Sequence, residues 1–282
     1  MELVANENNL PTLCLNMIVK NESKIIKRLF DSVISIIDSY CICDTGSVDN
    51  TVEIIEEYFK EKNIPGKIVK EPFKNFCHNR TFSLHSCVGM SDYVLLLDAD
   101  MILDIKSFNK SLLLCADSFY ILQGNDSFYY QNMRIVKNNG LYKYVGVTHE
   151  YIDCPKNNKV YGFEKNEIFI KDIGDGGCKS DKFERDIKLL LNGLKDEPDN
   201  GRYYFYLANS YYDLGRYEEA INCYKKRIGL GGWKEEVWFS YYKIGLSYKH
   251  INKFGDALNY WLEGYEYYPE RLESIYEIIK YY

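Results

Sequence analysis

The 282-residue chain has no apolar run approaching the roughly 18 residues that a membrane-spanning helix needs. Met1 to Pro11 is polar and has no apolar signal core, so neither a span nor a secretory leader is expected. There is no basic excess. Lys and Arg number 35 against 41 Asp and Glu, a formal charge of −6. That balance gives no case for nucleic-acid binding, whose usual footprint is a basic patch. Nine cysteines are scattered without a C-x₂-C pair. A zinc site and a disulfide framework are therefore not expected, and reduced thiols in a cytoplasmic setting fit best. Cys41-x-Cys43 sits inside an apolar segment and reads as core. A Gly-rich phosphate loop of the P-loop or dinucleotide type is also missing, which ranks a nucleotidyltransferase last among the readings below.

What is present is enough apolar material for full cores, 46% of residues, and length for two domains. Leu13 to Val19 reads as a buried strand. Lys20 to Ser23 then opens a helix with Ile25, Ile26, Leu29, Phe30, Val33, Ile36 and Ile37 at helical spacing. Tyr40 to Cys43 is a second strand, and Thr51 to Lys62 a helix capped by Ser47 or Asp49. Lys67 to Val69 is a third strand and Asn79 to Val88 another helix. Strands alternating with helices imply a parallel sheet built of right-handed βαβ units.

The run Tyr93-Val94-Leu95-Leu96-Leu97-Asp98-Ala99-Asp100 is the most informative segment. Its apolar part suits a strand buried on both faces. On extended backbone Asp98 and Asp100 would face one point at the C-terminal edge of a sheet, where open α/β folds bind ligands. Two carboxylates that close repel unless a cation lies between them, and oxygen ligands suit Mg²⁺ or Mn²⁺. The alternative is a pair of polar turn residues ending the strand. Beyond Asp104 the pattern changes to shorter strands, at 118–122, 132–136 and 167–170, with loops between.

From Phe183 the chain is helical and repeats itself. Ala208, Tyr211, Gly215, Tyr217, Ala220 and Tyr224 recur 37 residues later as Gly245, Tyr248, Asn252, Phe254, Ala257 and Trp261. This resembles the tetratricopeptide repeat of 34 residues, with the extra residues expected around Gly231-Gly232-Trp233. Residues 271–282 would form a terminal helix. Most of the 27 tyrosines crowd this half and read as repeat core. Two repeats are too few to stand alone, so they are expected to pack on the first domain, on a protein partner, or on a second copy as a homodimer.

Five segments in order carry a second resemblance: Ile18-Val19-Lys20-Asn21-Glu22; Asp44-Thr45-Gly46-Ser47-Val48-Asp49-Asn50-Thr51; Phe73-Lys74-Asn75-Phe76 with Asn79-Arg80; Leu97-Asp98-Ala99-Asp100; and Gly146-Val147-Thr148-His149-Glu150. Together they resemble a family 2 glycosyltransferase of GT-A fold over about residues 11–180. The appended repeats fit a subgroup that includes bacterial peptide S-glycosyltransferases. The expected architecture is an α/β GT-A domain with a Rossmann-like mixed sheet at 1–180, followed by an all-α tetratricopeptide-like domain at 181–282.

The resemblance implies a nucleotide-diphosphate-sugar donor, typically UDP-linked, and an inverting transfer. Asn21 and Glu22 would line the nucleoside pocket, and Asp44, with Thr45 beside it, would accept from the base. Arg80 would neutralise the pyrophosphate or contact the base. Asp98, next to Ala99, would reach the ribose or a Mn²⁺ or Mg²⁺ ion, and Asp100 would ligate that ion. Asp172 stands near where relatives often carry a metal-completing His. Glu150 is the expected base and His149 its rival, with Asp126 a further possibility. Each has a simpler reading. Asn21 and Glu22 would only start a helix, Asp44 would cap a turn, Arg80 would be solvated, and His149 would be a pocket wall. The stretch from Gly174 to Gly177 reads as a loop able to close over the donor, or as a linker. The competing function is an inactive GT-A-like scaffold that recruits a protein through the repeats. The sequence names neither the sugar nor the acceptor.

Overall fold

A computed structural model of the chain describes residues 10–176 and 182–281. Most of the polar N-terminal segment, and Gly177 of the expected lid loop, lie outside the described residues. Two compact units are present. One comprises Met1–Gly146 and Glu150–Lys179, and the other Val147–His149 and Ser180–Tyr282.

In the first unit β1 (Leu13–Val19), α1 (Ile26–Val33), β2 (Ser39–Asp44), α2 (Thr51–Glu61), β3 (Gly66–Lys70), α3 (Phe76–Ser86) and β4 (Tyr93–Leu96) alternate as the periodicity predicts. Every residue of β2 and β4 is buried, which is why they read as unbroken apolar runs. Leu13, Leu15, Met17 and Val19 of β1 enter one core with Phe30, Phe59 and Leu95. Cys14 enters a second core with Cys41, Leu84, Val94 and Tyr142. That is the alternation of a strand covered on both faces. Helix α1 buries Ile26, Leu29, Phe30 and Val33, one helical stripe. Asn75 caps α3 by accepting the His78 N–H.

The later strands are β5 (Met101–Ile105), β6 (Ser118–Gly124), β7 (Tyr129–Lys137), β8 (Lys143–Val145), β9 (Tyr151–Asp153), β10 (Val160–Gly162) and β11 (Ile168–Asp172). They complete a nine-stranded sheet in the order β3-β2-β1-β4-β7-β6-β11-β5, with β10 on β6. Strands β3, β2, β1 and β4 are parallel, and β7 runs antiparallel to β4. A small β8–β9 ribbon stands apart. The mixed sheet is as expected.

One local expectation is corrected. Asp98 and Asp100 do not lie on extended backbone, because β4 stops at Leu96 and the Met101 N–H returns to the Asp98 carbonyl at 3.1 Å, closing a turn. The strand argument for their common direction therefore lapses.

The second unit is all helical: α4 (Lys182–Asp196), α5 (Gly201–Asp213), α6 (Tyr217–Leu230), α7 (Lys234–His250), α8 (Phe254–Tyr267) and α9 (Glu273–Tyr281). The 37-residue offset holds for α6 and α8, both 14 residues long. The extra length is not in the Gly231–Trp233 connection itself. It is in α7, 17 residues long against 13 for α5, which gains a first turn. Small residues set the helix crossings: Ala208 and Ala220 are fully buried, and Gly245 lies under the Trp261 indole. Among the described residues all cysteines are free thiols, and no helix is long and apolar enough to cross a membrane.

Candidate active site

The loops after β1 and β2 are stitched to each other at the C-terminal ends of adjacent parallel strands, where open sheets bind ligands. Asn21 adopts a left-handed backbone, φ 58°. Its side-chain oxygen accepts the Val48 N–H at 2.8 Å, and its own N–H donates to Ser47 Oγ at 3.0 Å. The Glu22 N–H donates to Thr51 Oγ1 at 2.8 Å, and the Glu22 carbonyl starts the turn before α1. Asp44, buried, accepts the Ser47 N–H through Oδ1 at 2.9 Å. Thr45 Oγ1 donates to the Val19 carbonyl at 3.1 Å. The turn-capping reading of Asp44 thus holds geometrically, and it employs one of the two carboxylate oxygens.

Arg80 is presented by α3. Its neighbour Asn79, fully buried, fixes the helix start by bonding the Lys74 N–H and the Glu71 and Pro72 carbonyls. Arg80 Nη2 meets Asp98 Oδ1 at 2.6 Å, and Nε lies 2.6 Å from Glu150 Oε1. Arg80 thus bridges the two carboxylates, each at the distance of a close ion pair. The rings of Phe76 and Tyr144 lie 5.9 and 5.8 Å from the guanidinium carbon. Arg80 is therefore not a solvated surface residue.

The network continues through residues that the sequence reading missed. Arg134 of β7 lies 3.7 Å from Asp98 Oδ2. It donates to Gln123 Oε1 through Nε and Nη2 at 2.9 and 2.6 Å, and to the Leu96 carbonyl at 3.3 Å. Gln123 of β6 in turn donates to Asp172 Oδ2 at 3.3 Å. One polar chain therefore joins Glu150, Arg80, Asp98, Arg134, Gln123 and Asp172. A signal existed: Arg134 is a charge set between Met133 and Ile135 in an apolar strand.

The electrostatics follow. Burial pushes the Asp98 carboxyl up, but the charges of Arg80 and Arg134 outweigh it and hold it below its ordinary value. Burial opposes the Arg80 charge, and Asp98 and Glu150 more than offset that, so its pKa is raised. Burial pushes the Tyr144 hydroxyl up to about 12.

Asp100 lies in the β4–β5 turn, and its carbonyl accepts the Ile173 N–H at 3.1 Å. Asp172 faces Met101 across the β5–β11 ladder. Ala99 is buried between the two turn carboxylates. Among the described residues no group of three or more His, Cys, Asp or Glu side chains converges as a metal cage. Asp98, Asp100 and Asp172 are thus not gathered into one, and Asp98 is already engaged by two arginines.

His149 and Glu150 fall in different units. In the helical unit His149 adopts φ 50° and stacks on Tyr206 with ring centroids 3.9 Å apart. Its Nε2 lies 3.9 Å from the buried Asp186 carboxylate. It lines a cavity of about 240 Å³ with Tyr206, Asn209 and Lys243, which is the pocket-wall reading of this residue.

Residues 14–167 match the family model for glycosyl transferase family 2, and 201–226 match the tetratricopeptide repeat. Glycosyltransferase SunS of Bacillus phage SPbeta is 27% identical over 243 residues, covering 79% of this chain and 54% of SunS. A glycosyltransferase of Rickettsia felis is 32% identical over 84 residues, covering 30% of this chain and 27% of that one. The chain thus spans about half the length of SunS. Among solved structures, that of S. aureus TarS 1–349 is 13% identical with a TM-score of 0.47, covering 90% of this chain and 91% of that one. More than half of the sequence lies within the family match, and the chain belongs to glycosyl transferase family 2.

Proposed function

We propose that this enzyme transfers a sugar from a UDP-linked donor to a nucleophilic acceptor with inversion at the anomeric carbon. The observation that carries this reading is Arg80, largely buried between Asp98 and Glu150 at 2.6 Å from each. A largely buried guanidinium that already gathers two carboxylates suits the oxygens of a diphosphate as well. The second oxygen of Asp44 would accept from the uracil imide, and Asn21, Glu22 and Thr45 would shape the nucleoside pocket. In the transfer, the acceptor nucleophile bonds to the anomeric carbon as the bond from that carbon to the diphosphate oxygen breaks. The electron pair leaves with the diphosphate, and the acceptor proton passes to Glu150. Engagement of Arg80 by the diphosphate would release Glu150 for that task.

The carboxylates suit a hard cation. With no protein-only cage among the described residues, Asp100 and Asp172 would hold a Mg²⁺ or Mn²⁺ ion jointly with donor phosphates, as such ions are commonly held. When bound, the ion supplies Lewis-acid charge to the leaving group. The helical repeats would receive an acceptor protein or a second copy of the chain.

The test is a panel of nucleotide sugars with Mn²⁺ and EDTA controls, read by released nucleotide. UDP-sugar turnover that EDTA suppresses and that Asp100→Ala and Arg80→Ala abolish is the expected result. No turnover, and no heat on titration with any donor, would instead favour the scaffold reading.

A further inference from the structure

The helical unit holds a second built site, joined to His149 through Arg202, whose Nη2 donates to the His149 carbonyl at 3.1 Å. Glu236 is buried and bridges two arginines. Its Oε1 accepts from Arg202 Nη1 at 3.3 Å, and its Oε2 from Arg227 Nε at 3.1 Å. Arg227, itself 3% exposed, also donates to the Gly231 carbonyl and to the Trp233 carbonyl. Beside this chain lies a cavity of about 300 Å³ lined by Asp199, Gly201, Arg202, Arg227, Trp233 and Glu236, among others. Trp233 is 62% exposed at its rim, whereas Trp238 and Trp261 are 2% exposed. The first turn that lengthens α7 is what brings Glu236 here, directly after Gly231 and Gly232 at φ 63° and 93°.

The chemistry of the lining selects a ligand. Two arginines and two carboxylates cancel, so the cavity offers no net attraction for an anion or a cation. It offers N–H donors beside carboxylate acceptors, the pattern that hydroxyl groups satisfy because each both donates and accepts. An exposed indole offers the negative face of its ring to polarised C–H bonds. A neutral ring with hydroxyls on its edge and C–H groups on its face meets both demands. The volume lies at the lower end for ligand pockets. We infer that the cavity beside Trp233 is a non-catalytic saccharide-binding site, taking a neutral pyranose through stacking on Trp233 and hydrogen bonds to Asp199, Arg202 and Glu236. The choice of a sugar is consistent with the glycosyltransferase reading and rests on it only for context. The site would retain a glycan already present on the acceptor.

Trp233 is the exposed emitter among the described tryptophans, so its fluorescence reads the site directly. The full chain is titrated with neutral methyl pyranosides of gluco, galacto, manno and N-acetylglucosamine type. A saturable blue shift with protection from iodide quenching is expected for at least one. Asp199→Asn, at an exposed position, weakens that binding by about tenfold. Trp233→Phe removes the red-shifted emission, and its loss of affinity is read by saturation-transfer NMR. Both variants keep the far-UV spectrum and the rate of nucleotide release from donor. Arg80→Ala keeps pyranoside binding while losing donor turnover. No shift or saturation transfer with any pyranoside at high millimolar concentration overturns the inference, as does unchanged binding in Trp233→Phe and Asp199→Asn together. Donor turnover without pyranoside binding would sink this site alone. Pyranoside binding without any donor turnover would sink the catalytic reading alone.

Discussion

At Asp98 two opposing effects meet: burial favours the neutral acid, and Arg80 with Arg134 favours the carboxylate. The arginines win, so the folded-state pKa lies below the unfolded value of about 3.9. A depressed carboxylate contributes stability above its unfolded pKa and loses it as pH falls through the folded one. Asp98→Asn should therefore destabilise the chain by about 2 kcal/mol at pH 7, below the cost of fully burying an unpaired charge because Asp98 is 26% exposed. The gap from wild type should persist down to about pH 4 and close below it, as urea unfolding at pH 7 and pH 3 would record. A constant gap across that range would mean the arginines do not hold this carboxyl. The sequence did mark Asp98 and Arg80 as partners in a site, because their motifs occur in family order. It did not show their contact, which spans 18 positions. Its argument for a common direction of Asp98 and Asp100 lost its premise, since an apolar run does not reveal that its strand ends one residue before the final Leu97.

Among the elements, α7 and α8 show how a small residue fixes a crossing. A Cβ on Gly245 would run into the Trp261 indole, which is buried and donates its Nε1–H to the Tyr242 carbonyl at 3.2 Å. Moving the indole aside would break that hydrogen bond and disturb a side chain only 2% exposed. Gly245→Ala should cost about 1–3 kcal/mol, the usual range for overpacking, even though alanine is the better helix former. Chemical denaturation followed by far-UV circular dichroism would measure it, and a stabilised variant would contradict the packing. This crossing was legible, because Gly245 and Trp261 fell on the repeat pattern. The length of α7 was not. An offset of 37 gives the sum of helix and connection, and the Gly231-Gly232 pair drew the extra residues to the connection instead of the helix turn after it.

On the scale of the whole chain, the sheet cores and the helical core share no residue. The division is not a single cut, since Val147–His149 belong with the helices although Glu150 returns to the sheet unit. No composition change marks a three-residue excursion, so the sequence placed His149 and Glu150 together as rival bases. Physically the packing of Val147 against Gly193 and Tyr203 decides it: a Cβ on Gly193 would lie 3.1 Å from a Val147 methyl and 2.9 Å from the Tyr203 ring. Gly193→Ala should thus loosen the Val147 anchor together with α4 and α5. Amide hydrogen exchange on the full chain is expected to show faster exchange in 187–211, with β1, β2 and β4 unchanged, because separate cores open as separate cooperative units. Equal acceleration in the sheet strands would show instead that the two units unfold as one.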